Sequence, residues 1–339
     1  MSETVSVSMQ MELTAAGSAA GFALTLLLVP KVAAYMQRKG MVGVDVHKLG
    51  RPEVPEMVGL AIVLGLVASV ALVTVVCRTY ATEFLAFTSA VLIAAAIGAV
   101  DDLKGLGPKT KPLLMTLSSV PILLLGTYNP HPVLPFVGAT RLTIVYPLLV
   151  PLAMAVTANA MNMADPVNGA MSGTSAIILA ALLVASLLLG RDNAVVLSAL
   201  TLGPVLAFFW YNRYPSRVFS GDVGSLSVGT ALGALVVIGQ LEVVGIVAMM
   251  PQIMNAFCIL SSAGRLFEHS TMPDRPVRLL PDGRLDANLK PEAPITLTRI
   301  ILAGGPKREY EVAHELFRLT LFSALLAVLT ALAMWGSSR

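Results

Sequence analysis

The sequence predicts an all-α protein that crosses a membrane about ten times, and three observations lead there. Of its 339 residues, 56% are hydrophobic and only 13% charged. The apolar residues gather into serial runs of about 18 or more, the length that spans a bilayer. None of the runs alternates like an outer-membrane strand, so helices are the elements that satisfy the backbone in lipid. A soluble core is excluded.

Ten spans follow from the apolar runs, at roughly 13–35, 57–77, 84–100, 111–127, 142–158, 173–190, 194–211, 225–240, 242–262 and 316–336. The first has no basic stretch before it and no small-residue cleavage site, so it reads as a span rather than a removed signal. The fourth is short and carries Pro121, which a membrane helix accommodates with a kink. The whole chain, 1–339, reads as one integral membrane domain, and 263–315 is its one sizeable extramembrane insertion. Within that insertion the turn sequence Pro281-Asp282-Gly283 separates two short extended stretches, which predicts a small hairpin. The stretch 307–321 predicts a helix leading into the last span. Cys77 and Cys258 lack metal-ligand spacing and read as small hydrophobes.

Charge gives the spans a direction. On this layout nineteen Lys and Arg residues fall on one side and four on the other, Arg78, Arg141, Arg191 and Arg339. The positive-inside rule makes the first side cytoplasmic and puts both termini outside. Every unusual polar motif lies on that basic side. A transporter would instead place ionisable groups near mid-depth, between repeated halves with broken helices, and no internal repeat is visible. Nucleic acid is not an expected partner.

Asp101 and Asp102 stand where the third run ends and Lys104, Lys109 and Lys111 begin. At a helix C-terminus the dipole disfavours negative charge, and adjacent carboxylates repel, so the pair needs a cation or a lysine. Four further patches share the basic side: Val44-Asp45-Val46-His47-Lys48 through Glu56, Asn159-Ala-Met-Asn162-Met-Ala-Asp165-Pro-Val-Asn168-Gly169, Phe219-Ser-Gly-Asp222-Val-Gly-Ser225, and Pro273-Asp-Arg275-Pro-Val-Arg278. Asp222 stands just before an apolar run, where an acid is also an ordinary helix cap. The 159–169 patch also reads as a loop of turn-forming residues. Lysines at the third loop also serve as interfacial anchors.

In order and spacing these patches resemble the polyprenyl-phosphate N-acetylhexosamine-1-phosphate transferases, closest to the archaeal and eukaryotic dolichyl-phosphate type. The resemblance implies transfer of a sugar 1-phosphate from a UDP-N-acetylhexosamine, UDP-GlcNAc first, to a dolichyl or polyprenyl phosphate held in membrane lipid. UMP is the other product, and the step begins glycan assembly. It implies Mg²⁺, with Mn²⁺ as a substitute, and allows a homodimer. It assigns Asp222 and Asn168 to the metal. Asp101, Asp102 and Lys111 become the catalytic group, Asp101 as base or positioning group and Lys111 as phosphate partner. Glu56, Asn159, Asn162, Asp165, Arg275 and Arg278 become substrate-binding, the arginines as a diphosphate clamp. Asp45, His47 and Lys48 resemble the archaeal first loop and receive no role. A phospho-MurNAc-pentapeptide-type transferase and a non-enzymatic nucleotide-sugar or lipid-phosphate transporter are the alternatives.

Overall fold

A computed structural model describes residues 7–76, 78–263 and 275–337, so Cys77, His269 and the Pro273-Asp274 pair lie outside the described residues. The architecture is mostly helical. The first helix, α1 (Val7–Arg38), leads into the short hairpin β1 (Val42–Val44) and β2 (Glu53–Pro55), then α2 (Leu60–Val76) and α3 (Ala81–Lys104). Next come α4 (Thr110–Met115), a 3₁₀ turn over Thr116–Ser119 and α5 (Val120–Leu124). After a small ribbon, β3 (Val133–Leu134) with β4 (Gly138–Ala139), the chain forms α6 (Tyr146–Met163), α7 (Ala170–Leu189), α8 (Asp192–Asn212) and α9 (Gly221–Ile238). It closes with α10 (Glu242–Ala248), α11 (Met250–Ala263), the hairpin β5 (Val277–Leu279) and β6 (Leu285–Ala287), α12 (Leu297–Leu302) and α13 (Glu309–Ser337).

Among the described residues, six helices are long and apolar enough to span a membrane, and seven if the pair α10 and α11, bent by 68°, counts as one. This is fewer than the ten runs read from sequence, for local reasons. The described residues of α2 number 17. The fourth run breaks into α4, the 3₁₀ turn and α5. There Thr116, Ser118 and Ser119 each donate to the carbonyl three residues back, and Pro121 lacks the N–H an unbroken helix would use. α6 has the length, but Asn159 and Asn162 sit in its last turns.

α9 is the central post. Every residue from Val223 to Ile238 is buried, and α2, α3, α6, α7, α8 and α10 all pack on it. Glycines allow the closest approaches. A Cβ at Gly98 of α3 would lie 2.6 Å from the Asp222 carbonyl oxygen, and one at Gly59 would lie 2.3 Å from the Gly224 Cα. Small residues at helix crossings let backbones meet where lipid supplies no hydrophobic drive of its own.

The hairpin expected around Pro281-Asp282-Gly283 forms, with Val277 opposite Ala287 and Leu279 opposite Leu285. Gly283 takes the left-handed φ of +81° that the turn needs. Leu285, Ala287, Leu302, Val312 and Leu316 form one buried cluster with Val167 and Ala170. The insertion therefore presses on the loop that opens α7.

Candidate active site

The ends of α3, α4, α6 and α9 and the β1–β2 loop surround one cavity of about 460 Å³, with Asp101, Lys111, Asn162 and Asp222 at one pole and Asp45, His47, Asn168 and Glu309 also lining it. The turn before α9 is stitched to the loop before α2. Phe219 N–H donates to the Pro55 carbonyl at 2.8 Å, and Val58 N–H donates back to Phe219 at 3.0 Å. Both loops must move together.

At the first pole Lys111 Nζ lies 2.6 Å from Asp222 Oδ2 and also meets Asp101 Oδ2. Asn162 Nδ2 donates to Asp222 Oδ1 at 2.5 Å and to Ser225 Oγ at 2.8 Å. Asp222 is the second residue of α9 rather than its cap, and its side chain points into the cavity group. The cation that the acid pair needs is Lys111 for Asp101. Asp102 takes another partner, accepting from the Asp222 N–H at 2.7 Å and the Val223 N–H at 3.0 Å. The positive end of α9 thus compensates an anion stranded at the negative end of α3.

Asn168, expected at a metal with Asp222, has its contacts elsewhere. Its amide nitrogen donates to Asp45 Oδ2 at 3.1 Å and its backbone N–H to Glu309 Oε1 at 2.9 Å. Asn162 is the amide that meets Asp222. The helical step of three residues explains the exchange. Asn162 lies in the last turn of α6, facing α9, while Asn168 lies beyond the helix end, carried off by the loop. Asn159 turns back onto its own helix, donating to the Ala155 carbonyl at 2.8 Å.

Asp165 lines the cavity and braces it, accepting from Ser220 Oγ at 2.7 Å and the Met171 N–H at 3.3 Å. Loss of water raises its carboxyl above the ordinary range, and those two hydrogen bonds oppose the rise. Glu56 is raised as well, first by burial and then by the Asp222 charge.

The arginine clamp is not assembled. Arg278 spends its guanidinium on Asn288 Oδ1, at 3.1 and 2.6 Å, while Arg275 is exposed with its carbonyl accepting from Asn288 Nδ2 at 2.8 Å. Neither is among the residues that line the cavity. Glu309, which no motif marked, does line it. Its one sequence signal was an acid in the first turn of α13, a position that reads as dipole compensation.

Among the described residues, two sets of side chains around the cavity have the donor chemistry for a cation. Asp45, His47 and Glu309 bring ligand atoms within 4.8 Å of one another. There Lys48 pairs with Asp45 and Asn168 donates to both acids, just as Lys111 and Asn162 hold the two oxygens of Asp222. Asp222 and Asn162 offer a carboxylate and an amide at the end where Asp101 adds a second acid.

Residues 84–240, from α3 through α9, match the glycosyl transferase family 4 domain. Over those residues the chain is similar to that family. The matched stretch carries Asp101, Lys111, Asn162, Asn168 and Asp222, and leaves Glu56 and the 263–315 insertion outside it. A relative from Sulfolobus acidocaldarius, provisionally named UDP-N-acetylglucosamine–dolichyl-phosphate N-acetylglucosaminephosphotransferase, is 25% identical over 317 residues, covering 91% of this chain and 93% of the relative. One of the same provisional name from Saccharolobus solfataricus is 27% identical over 299 residues, covering 86% and 89%. A phospho-N-acetylmuramoyl-pentapeptide-transferase from Bacillus licheniformis is 23% identical over 277 residues, covering 74% and 85%. The transferase is similar to all three along most of its length.

Proposed function

We propose that this transferase moves N-acetylglucosamine 1-phosphate from UDP-GlcNAc to dolichyl or another polyprenyl phosphate, releasing UMP and leaving a lipid-linked diphosphate sugar. The charge of the cavity supports this reading. Six carboxyl groups and one lysine line it: Asp45, Glu56, Asp101, Asp165, Asp222 and Glu309 against Lys111. A nucleotide diphosphate and a lipid phosphate are both anions, and such a wall accepts them only together with a cation. The donor set fits one. Asp222 would hold it with the oxygen of the Asn162 amide, which a half-turn about the last side-chain torsion directs to the same place. When bound, a hard divalent ion such as Mg²⁺, or Mn²⁺ in its stead, neutralises the phosphates and lines up the displacement.

The chain's own groups do the rest. Lys111 draws the phosphate oxygens to its ammonium. Asp101, tied by Lys111 and by the Leu106 N–H at 2.5 Å, is poised at the acceptor side. A phosphate monoester with a second pKa of about 6 is mostly dianionic at neutral pH, so Asp101 acts by placing the nucleophile rather than by deprotonating it. The rest of the cavity, whose wall includes Phe219 and Asn168, is left to the nucleoside. All of these groups lie at the basic end of the bundle, which we assign to the cytoplasmic face of a ten-span layout. There α2, the broken run Thr110–Leu124 and α6 also cross, and both termini lie outside.

Purified protein supplied with UDP-GlcNAc and dolichyl phosphate is expected to release UMP and form the lipid product only with Mg²⁺ present. Asp222→Ala is expected to lose nearly all of it. Turnover that survives thorough chelation, or survives in that variant, removes the metal from the mechanism. Product from UDP-MurNAc-pentapeptide but not UDP-GlcNAc reassigns the donor.

A further inference from the structure

We infer that Asp102 is a positioning residue: it caps α9 from across the bundle and so aims Asp222, without touching substrate itself. The inference rests on the proposed metal role of Asp222. An α-helix begins with N–H groups that have no partner in the helix, and the residue before it ordinarily supplies a side-chain oxygen. Here that residue is Ser220, which is buried and donates its hydroxyl to Asp165 instead, making no cap bond. Asp102 fills the gap from 120 residues away, one oxygen on the Asp222 N–H at 2.7 Å and the other on the Val223 N–H at 3.0 Å.

The surrounding backbone is shaped for this contact. A Cβ at Gly221 would stand 2.7 Å from Asp102 Oδ2, and Gly221 has a φ of +63° that only glycine holds without strain. Gly98, one helical turn before Asp102, lets α3 close to 2.6 Å from the Asp222 carbonyl at a Cβ's position. Asp101 lines the cavity, whereas Asp102 is not among its lining residues. Two adjacent acids therefore have separate tasks, one facing the reactants and the other fixing the backbone of the metal-holding residue.

The test measures Mn²⁺ binding to the full-length purified protein by electron paramagnetic resonance, alongside the pH profile of kcat at saturating Mg²⁺. Asp102→Asn keeps the shape but loses the charge and one of the two acceptor oxygens. It is expected to weaken Mn²⁺ binding about 10-fold or more, the usual effect of losing a partner that orients a ligand, with the acidic limb of the pH profile unmoved. Gly98→Ala, which forces α3 away from α9 while leaving every acid in place, is expected to weaken Mn²⁺ in the same direction. It covers the case in which Asp102→Asn does not fold. Unchanged Mn²⁺ affinity in the folded variants, or an acidic limb abolished in Asp102→Asn at full metal saturation, overturns the inference. A wild-type protein that binds no Mn²⁺ overturns the metal reading of Asp222 and this inference with it.

Discussion

Replacing Lys111 with Met should separate metal binding from catalysis, because this one ammonium is shared between two acids. Lys111 Nζ stands 2.6 Å from Asp222 Oδ2, and at an effective dielectric of about 20 that corresponds to ~6 kcal/mol of direct attraction. Desolvation cancels much of it, and cutting one partner from a buried pair costs about 3–5 kcal/mol. Lys111 and Asp222 are 17% and 25% exposed, so water reduces the loss in the metal-free protein to roughly 2–3 kcal/mol. Lys111→Met should therefore melt several degrees lower without metal. The vacated charge also makes the pole more negative, so Mg²⁺ should bind the variant at least as tightly as wild type and raise its melting temperature by more. Turnover should nonetheless fall by about 10²–10³, the usual effect of removing one group that stabilises developing phosphate charge. Thermal melts by intrinsic fluorescence with and without Mg²⁺, paired with a UMP-release assay, read both quantities. A variant that loses Mg²⁺ stabilisation, or keeps wild-type kcat, refutes the reasoning.

Four other substitutions probe the same framework. Burial and the Asp222 charge raise the Glu56 carboxyl above its ordinary 4.5, so ionised Glu56 costs stability. That cost is absent below the unfolded value and complete above the folded one. Glu56→Gln should accordingly raise the melting temperature at pH 8 and bring no gain near pH 4, and a pH-independent effect counts against it. Asn162→Ala should raise the half-saturating Mg²⁺ concentration, whereas Asn168→Ala should raise the donor KM and leave the metal dependence alone; metal titrations at saturating donor distinguish them. In Gly229→Ala the new Cβ would sit 2.6 Å from the Thr157 carbonyl oxygen and 2.7 Å from the Ala158 Cα. Backbone cannot yield as a side chain does, so thermal melts should show a loss of about 1–3 kcal/mol.

The helices were legible in the sequence because apolar runs need no partner to be recognised. Their subdivision was less so. The 3₁₀ turn at Thr116–Ser119 depends on hydroxyls choosing nearby carbonyls over solvent, a competition that hydropathy does not register. The residues of the motifs around Asn162 and Asp222 converge on one cavity, yet spacing alone could not say which asparagine faces Asp222, since α6 ends between Asn162 and Asn168. Asp102 looked like a twin of Asp101, and only the meeting of α3 with α9 separates their partners. Nothing in its motif showed that Arg278 is spent on Asn288, which lies on the far side of the hairpin. Glu309 carried no motif at all.

Since α9 is wrapped along its length by six other helices, none of its side chains from Val223 to Ile238 looks out on lipid. Bilayer thickening or thinning acts on the tilt of outer helices such as α1 and α13, whose surfaces carry exposed Leu27, Phe322 and Leu329. The aspartate at the head of the post is mechanically insulated from that stress. A protein that draws one reactant out of the membrane can thus hold its chemistry steady while the membrane around it changes.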